Sequence, residues 1–316
     1  MGFLLPIFSG ILLGVGFLAP IFKFFCWFGF LPLLFFLNKK DLSSKKAFLA
    51  GFITGFIYFG QVLIWVFQTW PLDWAGIENR LLGFLLIFLI WFILVAFLSL
   101  FIGFFSLSFK FFRRGNWLNL LLIPSLWIIF EYLRAVGFSI FASGNASLFG
   151  PHWTWGQLGY LLNENSILRI MASFGGIYLL SFLIIFLNVV FYLLLKRALK
   201  SRKVKIERMW AIFLLIILIS ASYQFEIKQS KFVRDSTKIS ILQTKFPSAF
   251  YISKEARIER LNLQKNLVRD ALSNSPEIIV FPEDARFLAF IDKEFLEKNF
   301  KQNQISILES GRTETF

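Results

Sequence analysis

Long uncharged runs separated by short charged intervals fill the first 225 residues, and the runs have the length of membrane crossings. Residues 1–22 and 24–38 carry no charged side chain and are parted only by Lys23. They predict a tight helical hairpin whose second arm is short for a full crossing. Further spans are predicted over 47–72, within 81–109, over 117–134, over 170–195 and over 209–225, which makes seven. Gly51, Thr54 and Gly55 mark a face of the third span suited to close packing, and Gly175-Gly176 near the start of the sixth would allow another segment to approach. Residues 137–167, rich in Gly, Asn, Ser and Trp, read as a loop lying along the membrane interface. The first run lacks a basic leading segment and a small-residue cleavage site, so it reads as a span and not as a signal peptide.

After residue 225 the rhythm changes. Residues 237–243 read as a strand, 254–272 as a helix with Ile258, Leu261, Val268 and Leu272 at three- and four-residue spacing, and 277–281 as a second strand. A helix over 287–300 and a strand over 304–308 follow, giving the opening of an α/β domain. Three strands leave an unfinished edge, so this domain reads as incomplete. The predicted fold is therefore a polytopic α-helical membrane protein with seven spans over 1–225, followed by a partial α/β domain over 226–316.

Charge orients this arrangement. The loop 38–46 holds Lys39, Lys40, Lys45 and Lys46 against Asp41, Lys110, Arg113 and Arg114 follow the fourth span, and 196–208 is strongly basic. These loops alternate with ones poor in positive charge, which predicts a cytoplasmic N-terminus and, with seven spans, an extracytoplasmic 226–316. The formal charge of +14 is concentrated beside apolar spans, so membrane topology accounts for it and a nucleic-acid partner is not expected. The tail carries 15 of the 33 Lys+Arg and 13 of the 19 Asp+Glu, and so is nearly neutral and water-exposed. One cysteine and one histidine argue against an intrachain disulfide, a metal site or a metal cofactor.

Candidate chemistry is sparse. Glu283 follows the apolar run Ile278-Ile279-Val280-Phe281-Pro282, where the proline ends the ladder and sets a carboxylate at a strand's end, a position used for catalysis in α/β enzymes although most strand-terminal carboxylates are simply solvated. Glu131 and Arg134 interrupt an apolar helix end three residues apart, which fits a pinning ion pair or a lipid-headgroup site. Cys26, in an apolar arm, reads as a packing residue, and His152, beside Pro151, as an interface or hydrogen-bonding residue with no orienting carboxylate nearby. Lys293, Lys298 and Lys301 read as a solvated helix face.

Several stretches together resemble the apolipoprotein N-acyltransferase family. They are Gly14-Val15-Gly16-Phe17-Leu18-Ala19-Pro20, the run from Trp127 through Glu131-Tyr132-Leu133-Arg134 to Gly137-Phe138, Gly175-Gly176-Ile177-Tyr178, Leu242-Gln243 with Pro247, and Val280-Phe281-Pro282-Glu283-Asp284-Ala285. The resemblance implies an inner-membrane enzyme that moves an acyl chain from a phospholipid to the amino group of a lipoprotein's S-diacylglyceryl cysteine, with a nitrilase-like carbon–nitrogen hydrolase domain. It implies Glu283 as the base of a Glu–Lys–Cys thioester mechanism. The family's lysine and cysteine positions lie beyond Phe316, the closing eighth span is absent, Ser139 and Ile140 replace a Pro-Trp pair, and Thr244-Lys245 replace Gly-Asn. The expected partners are a phospholipid donor, a diacylated apolipoprotein and a separately encoded C-terminal portion, and the 316 residues alone are expected to be inactive. The alternative is a noncatalytic scaffold or lipid-binding remnant of the family. A transporter is less consistent with spans that hold almost no internal ionisable residues.

Overall fold

The computed structural model describes residues 2–113, 118–143, 153–200, 237–244, 253–282, 285–309 and 312–314. The chain divides into two compact units, one of Met1–Trp70 with Phe84–Lys228 and one of Pro71–Gly83 with Gln229–Phe316.

In the first unit α1 (Leu4–Leu18) stops where Ala19 turns extended ahead of Pro20, because a proline disfavours helical backbone in the residue before it. A 3-10 segment, Pro20–Trp27, leads into α2 (Leu31–Leu37). Next come α3 (Ser44–Val62), α4 (Arg80–Phe112), α5 (Asn119–Ser143) and α6 (Ser166–Lys200). Glycines on α3 let backbones meet: a Cβ on Gly51 would lie 2.3 Å from the Ile102 carbonyl oxygen, and one on Gly55 would lie 3.0 Å from the Ser99 Cα. The small-residue face of the third predicted span thus meets α4 through Gly51 and Gly55, while Thr54 Oγ1 donates to the Pro6 carbonyl of α1 at 2.9 Å. Asn188 of α6 fastens the break between α1 and α2, accepting from Phe30 N at 3.0 Å and donating to the Cys26 and Ile184 carbonyls at 2.8 Å each.

The expected count of seven spans is corrected. Among the described residues four helical stretches are long and apolar enough to cross a membrane: Pro20–Leu37, Arg80–Phe112, Asn119–Gly137 and Leu168–Leu199. The protein is a helical membrane protein with a sheet region after its helices. The 15 residues of α1 give a rise of about 22 Å, short of the roughly 30 Å hydrocarbon core. At the third predicted span, 47–72, the helix α3 takes Lys45 and Lys46 into its first turn, holds Gln61, and gives way to 3-10 backbone over Ile64–Thr69, well before residue 72. The seventh, 209–225, lies outside the described residues. The expected loop at 137–167 is also shorter than its composition suggests, since α5 continues to Ser143 and α6 begins at Ser166.

The second unit holds β1 (Ile239–Ile241), α7 (Lys254–Leu272), β2 (Ile278–Val280), α8 (Phe287–Phe290), α9 (Lys293–Leu296), β3 (Ser306–Glu309) and β4 (Arg312–Glu314). The sheet order is β1-β2-β3-β4, with β1, β2 and β3 parallel and β4 antiparallel to β3. β4 is a strand the apolar pattern does not predict. Ile279 and Ile307 are register partners on one sheet face and join a core with Val268, Phe281, Phe287, Phe295 and Phe300. Ser253 caps α7 by accepting from Ala256 N at 3.2 Å. Asp292 caps α9 by accepting from Phe295 N at 2.7 Å. The hydrogen bond from Lys265 and that cap hold its exposed carboxyl below the usual carboxylate range. The single helix expected over 287–300 is broken at Ile291, whose extended backbone separates α8 from α9, and it closes in a π-helical turn, Glu297–Lys301.

Candidate functional site

Polar atoms in the first unit converge on the segment Trp155–Gly159. Four side chains from α3, α5 and α6 hold its backbone: Arg134 Nη1 donates to the Trp155 carbonyl at 2.5 Å and the Tyr58 hydroxyl to the Gly156 carbonyl at 2.5 Å. Leu158 N donates to Glu131 Oε1 at 3.1 Å, and Gly159 N to Ser181 Oγ at 2.9 Å. The turn needs its glycines. Gly156 has φ +64, and a Cβ on Gly159 would lie 2.5 Å from the Ile177 carbonyl oxygen. The close approach expected at Gly175-Gly176 is therefore made at Gly159. Gly176 (φ 62, ψ −160) has open space around it and instead kinks α6.

Glu131 and Arg134 are 5% and 2% exposed, so the structure encloses both predicted residues. They form no direct ion pair. Each spends its first hydrogen bond on the backbone of the Trp155–Gly159 segment, while Glu131 Oε2 and Arg134 Nη2 are left without a protein partner. The Arg134 guanidinium lies over the Phe59 ring, 5.0 Å from its centroid. Trp127 Nε1 and both amide atoms of Gln157 are likewise buried and unpartnered. Beside them is a cavity lined by Tyr58, Phe59, Phe101, Trp127, Glu131 and Arg134, with room for about one water. Such a group of donors and acceptors is chemically able to hold a water.

Sequence reasoning picks out Glu131 and Arg134 because charge is conspicuous in an apolar helix. It misses Tyr58, Gln157 and Ser181, whose residue types are ordinary in interfacial helices and loops. Asn188 had a visible signal, as a lone amide inside the run 182–195. His152 lies outside the described residues, and Cys26 is a 1% exposed free thiol. Among the described residues no cluster of His, Cys, Asp and Glu could hold a metal ion.

In the second unit Glu283 and Asp284 lie outside the described residues, and the structure describes what flanks them. Phe281 N donates to the Leu308 carbonyl at 2.9 Å, tying the end of β2 to β3. Gln264, 2% exposed on α7, donates to the Ala285 carbonyl at 2.8 Å. Glu309, at the end of β3 and 4% exposed, accepts from Phe287 N and Leu288 N at 2.5 and 2.9 Å. Neither Gln264 nor Glu309 is marked by the sequence, because a polar residue at a core position is recognisable only once its backbone partners are known. Ile258, expected on the buried face of α7, is 53% exposed. Lys293, Lys298 and Lys301 are exposed, as a solvated face requires.

Comparison with known proteins bears on both sites. The family described as apolipoprotein N-acyltransferase N-terminal domain matches residues 9–190, which include Glu131, Arg134 and Gln157. An apolipoprotein N-acyltransferase of Geobacter metallireducens is 26% identical over 304 residues, covering 92% of this chain and 52% of the relative. One of Thermotoga maritima is 28% identical over 302 residues, covering 90% and 54%. One of Coxiella burnetii is 30% identical over 157 residues, covering 49% and 28%. The chain spans about half the length of the first two of these relatives. With more than half of its residues matched by that family, the chain belongs to the apolipoprotein N-acyltransferase family.

Proposed function

We propose that this chain serves the N-acylation of lipoproteins in the bacterial cytoplasmic membrane. In this reading an acyl chain passes from a phospholipid to the free amino group of an S-diacylglyceryl cysteine, and Glu283 is the general base. The observation that carries it is the alignment with relatives named apolipoprotein N-acyltransferase, which runs for 302 to 304 residues and so spans the membrane helices and the sheet region together. The order of β1, β2 and β3 and the proline after β2 support a carboxylate presented at the end of a parallel strand.

The proposed reaction has two halves. Glu283 takes the proton of a cysteine thiol, and the thiolate attacks the ester carbon of the phospholipid. A lysine ammonium steadies the oxyanion, and the lysophospholipid leaves with a proton as the thioester forms. The lipoprotein's amine then attacks the thioester, and the thiol is restored. Within these 316 residues the single thiol is Cys26, enclosed among apolar side chains in the membrane unit, so Cys26 does not supply the thiolate of this scheme. Glu131 and Arg134 keep the interfacial Trp155–Gly159 segment in place, and Arg134 Nη2 is the atom that would meet a lipid phosphate if that segment lifts.

The test is incubation of purified protein with labelled phospholipid and a diacylated lipoprotein peptide, scoring both a hydroxylamine-labile protein adduct and the triacylated peptide. The 316-residue chain should give neither, and Glu283→Gln should change nothing in it. A chain extended to the length of the relatives should give both, and Glu283→Gln should abolish them there while leaving lipid binding intact. Peptide acylation by the 316 residues alone would overturn the assignment.

A further inference from the structure

The crossing after β2 is held by two buried polar side chains whose hydrogen bonds, among the described residues, go to its backbone. Burying an amide and a carboxylate costs free energy unless each finds good partners. Gln264 finds the Ala285 carbonyl, and the two oxygens of Glu309 take one N–H each, from Phe287 and Leu288. The rings of Phe281 and Phe287 stack at 4.4 Å and close the base of the crossing. Between the anchored residues Arg286 is held at φ +52, a backbone conformation that a non-glycine residue keeps only where its surroundings impose it.

A cap on a short helix does not account for this arrangement. α8 has four residues, and exposed Ser or Asp caps serve α7 and α9 without burying a charge. A carboxylate at 4% exposure and an amide at 2% are placed on opposite elements, α7 and β3, and both act on Ala285–Leu288.

We infer that Gln264 and Glu309 are positioning residues for the proposed base, fixing the backbone from two to five residues beyond Glu283 and so the point from which that carboxylate is presented. The inference rests on the assignment of Glu283 made above. This role requires neither side chain to touch a reacting atom. Glutamine at 309 would turn one acceptor into an NH2 group facing a backbone N–H, so one of the two bonds becomes a repulsion. Methionine at 264 keeps the volume and removes the donor.

The experiment measures the rate of thioester formation in a chain extended to the length of the relatives, as hydroxylamine-labile label, against phospholipid concentration, with the folded fraction determined on the same samples. Glu309→Gln and Gln264→Met should each lower the rate at saturating phospholipid by about 10- to 100-fold, the scale of loss expected when a reacting group is misplaced by about 1 Å. The half-saturating phospholipid concentration should stay within about twofold, and because loss of folded protein would lower the saturating rate in the same way, the rate is expressed per folded molecule. Glu283→Gln is run alongside. A normal rate in that variant sinks the assignment of Glu283 itself. If Glu283→Gln abolishes the rate, the positioning role is overturned by wild-type saturating rates in folded Glu309→Gln and Gln264→Met, or by losses that only track the folded fraction. Should Glu309→Gln not fold, Gln264→Met decides by the same criterion.

Discussion

Arg134 commits one nitrogen to the Trp155 carbonyl and its face to Phe59, and leaves Nη2 buried with no protein partner. Glu131, one helical turn away, does the same with Leu158 N and its second oxygen. The two charges are coupled through the enclosed space they share, without touching. Removing one partner strands the other in a medium that solvates it poorly, at a cost of roughly 3–5 kcal/mol where a buried pair is broken. Arg134→Met should therefore reduce the yield of detergent-stable, monodisperse protein more than Arg134→Met combined with Glu131→Gln. Size-exclusion profiles of a fluorescent fusion measure this, and equal losses in the two variants would show that the charges act independently. These two residues were legible because charge in an apolar helix is rare. Their direct pairing was a reasonable expectation from i, i+3 spacing, and it failed because the backbone of a segment some twenty residues further on supplies better-placed partners than either side chain does.

At the scale of elements, the helix α7 was readable to the residue from its apolar spacing, whereas α1 was not, since an uncharged run of 22 residues conceals the break at Ala19-Pro20. Uncharged sequence reports where a chain can be buried, and prolines and local hydrogen bonds decide where it stays helical. The kink in α6 makes the same point. Its sequence shows Gly175-Gly176 and suggests close packing, yet a Cβ on Gly176 would meet nothing within 4 Å. What requires glycine is the backbone at φ 62, ψ −160, a region essentially closed to other residues. Gly176→Ala should thus destabilise the protein by about 1–3 kcal/mol through backbone strain alone. A fall in the thermal midpoint of the purified protein, with no change on Gly2→Ala where space is equally open and φ is unconstrained, would support this. An unchanged midpoint for Gly176→Ala would mean that α6 straightens at no cost.

Across the membrane unit the structure gathers the charges that the sequence spreads over separate loops. Arg113 Nη1 donates to the Leu37 carbonyl at 2.7 Å and Lys110 Nζ to Ser44 Oγ at 2.9 Å, which brings the 38–46 loop and the end of α4 together. Tyr192 packs on Phe35 and lies under Lys196, so the C-terminal part of α6 reaches the same end. At the opposite end of α6 the single cation of the first hairpin, Lys23, is neutralised by Glu164 at 2.6 Å. A basic end and a neutralised end are what the bias of positive residues toward the cytoplasm produces, so the basic end is expected inside. Lys40→Cys and Asn163→Cys place thiols at the two ends, at residues that are both exposed, while Cys26 at 1% exposure should stay silent. In intact cells an impermeant maleimide should label the thiol at 163 and spare the one at 40, and opening the cells should expose both. Labelling of position 40 alone in intact cells would invert the orientation and place the Trp155–Gly159 segment, with Glu131 and Arg134, on the cytoplasmic side.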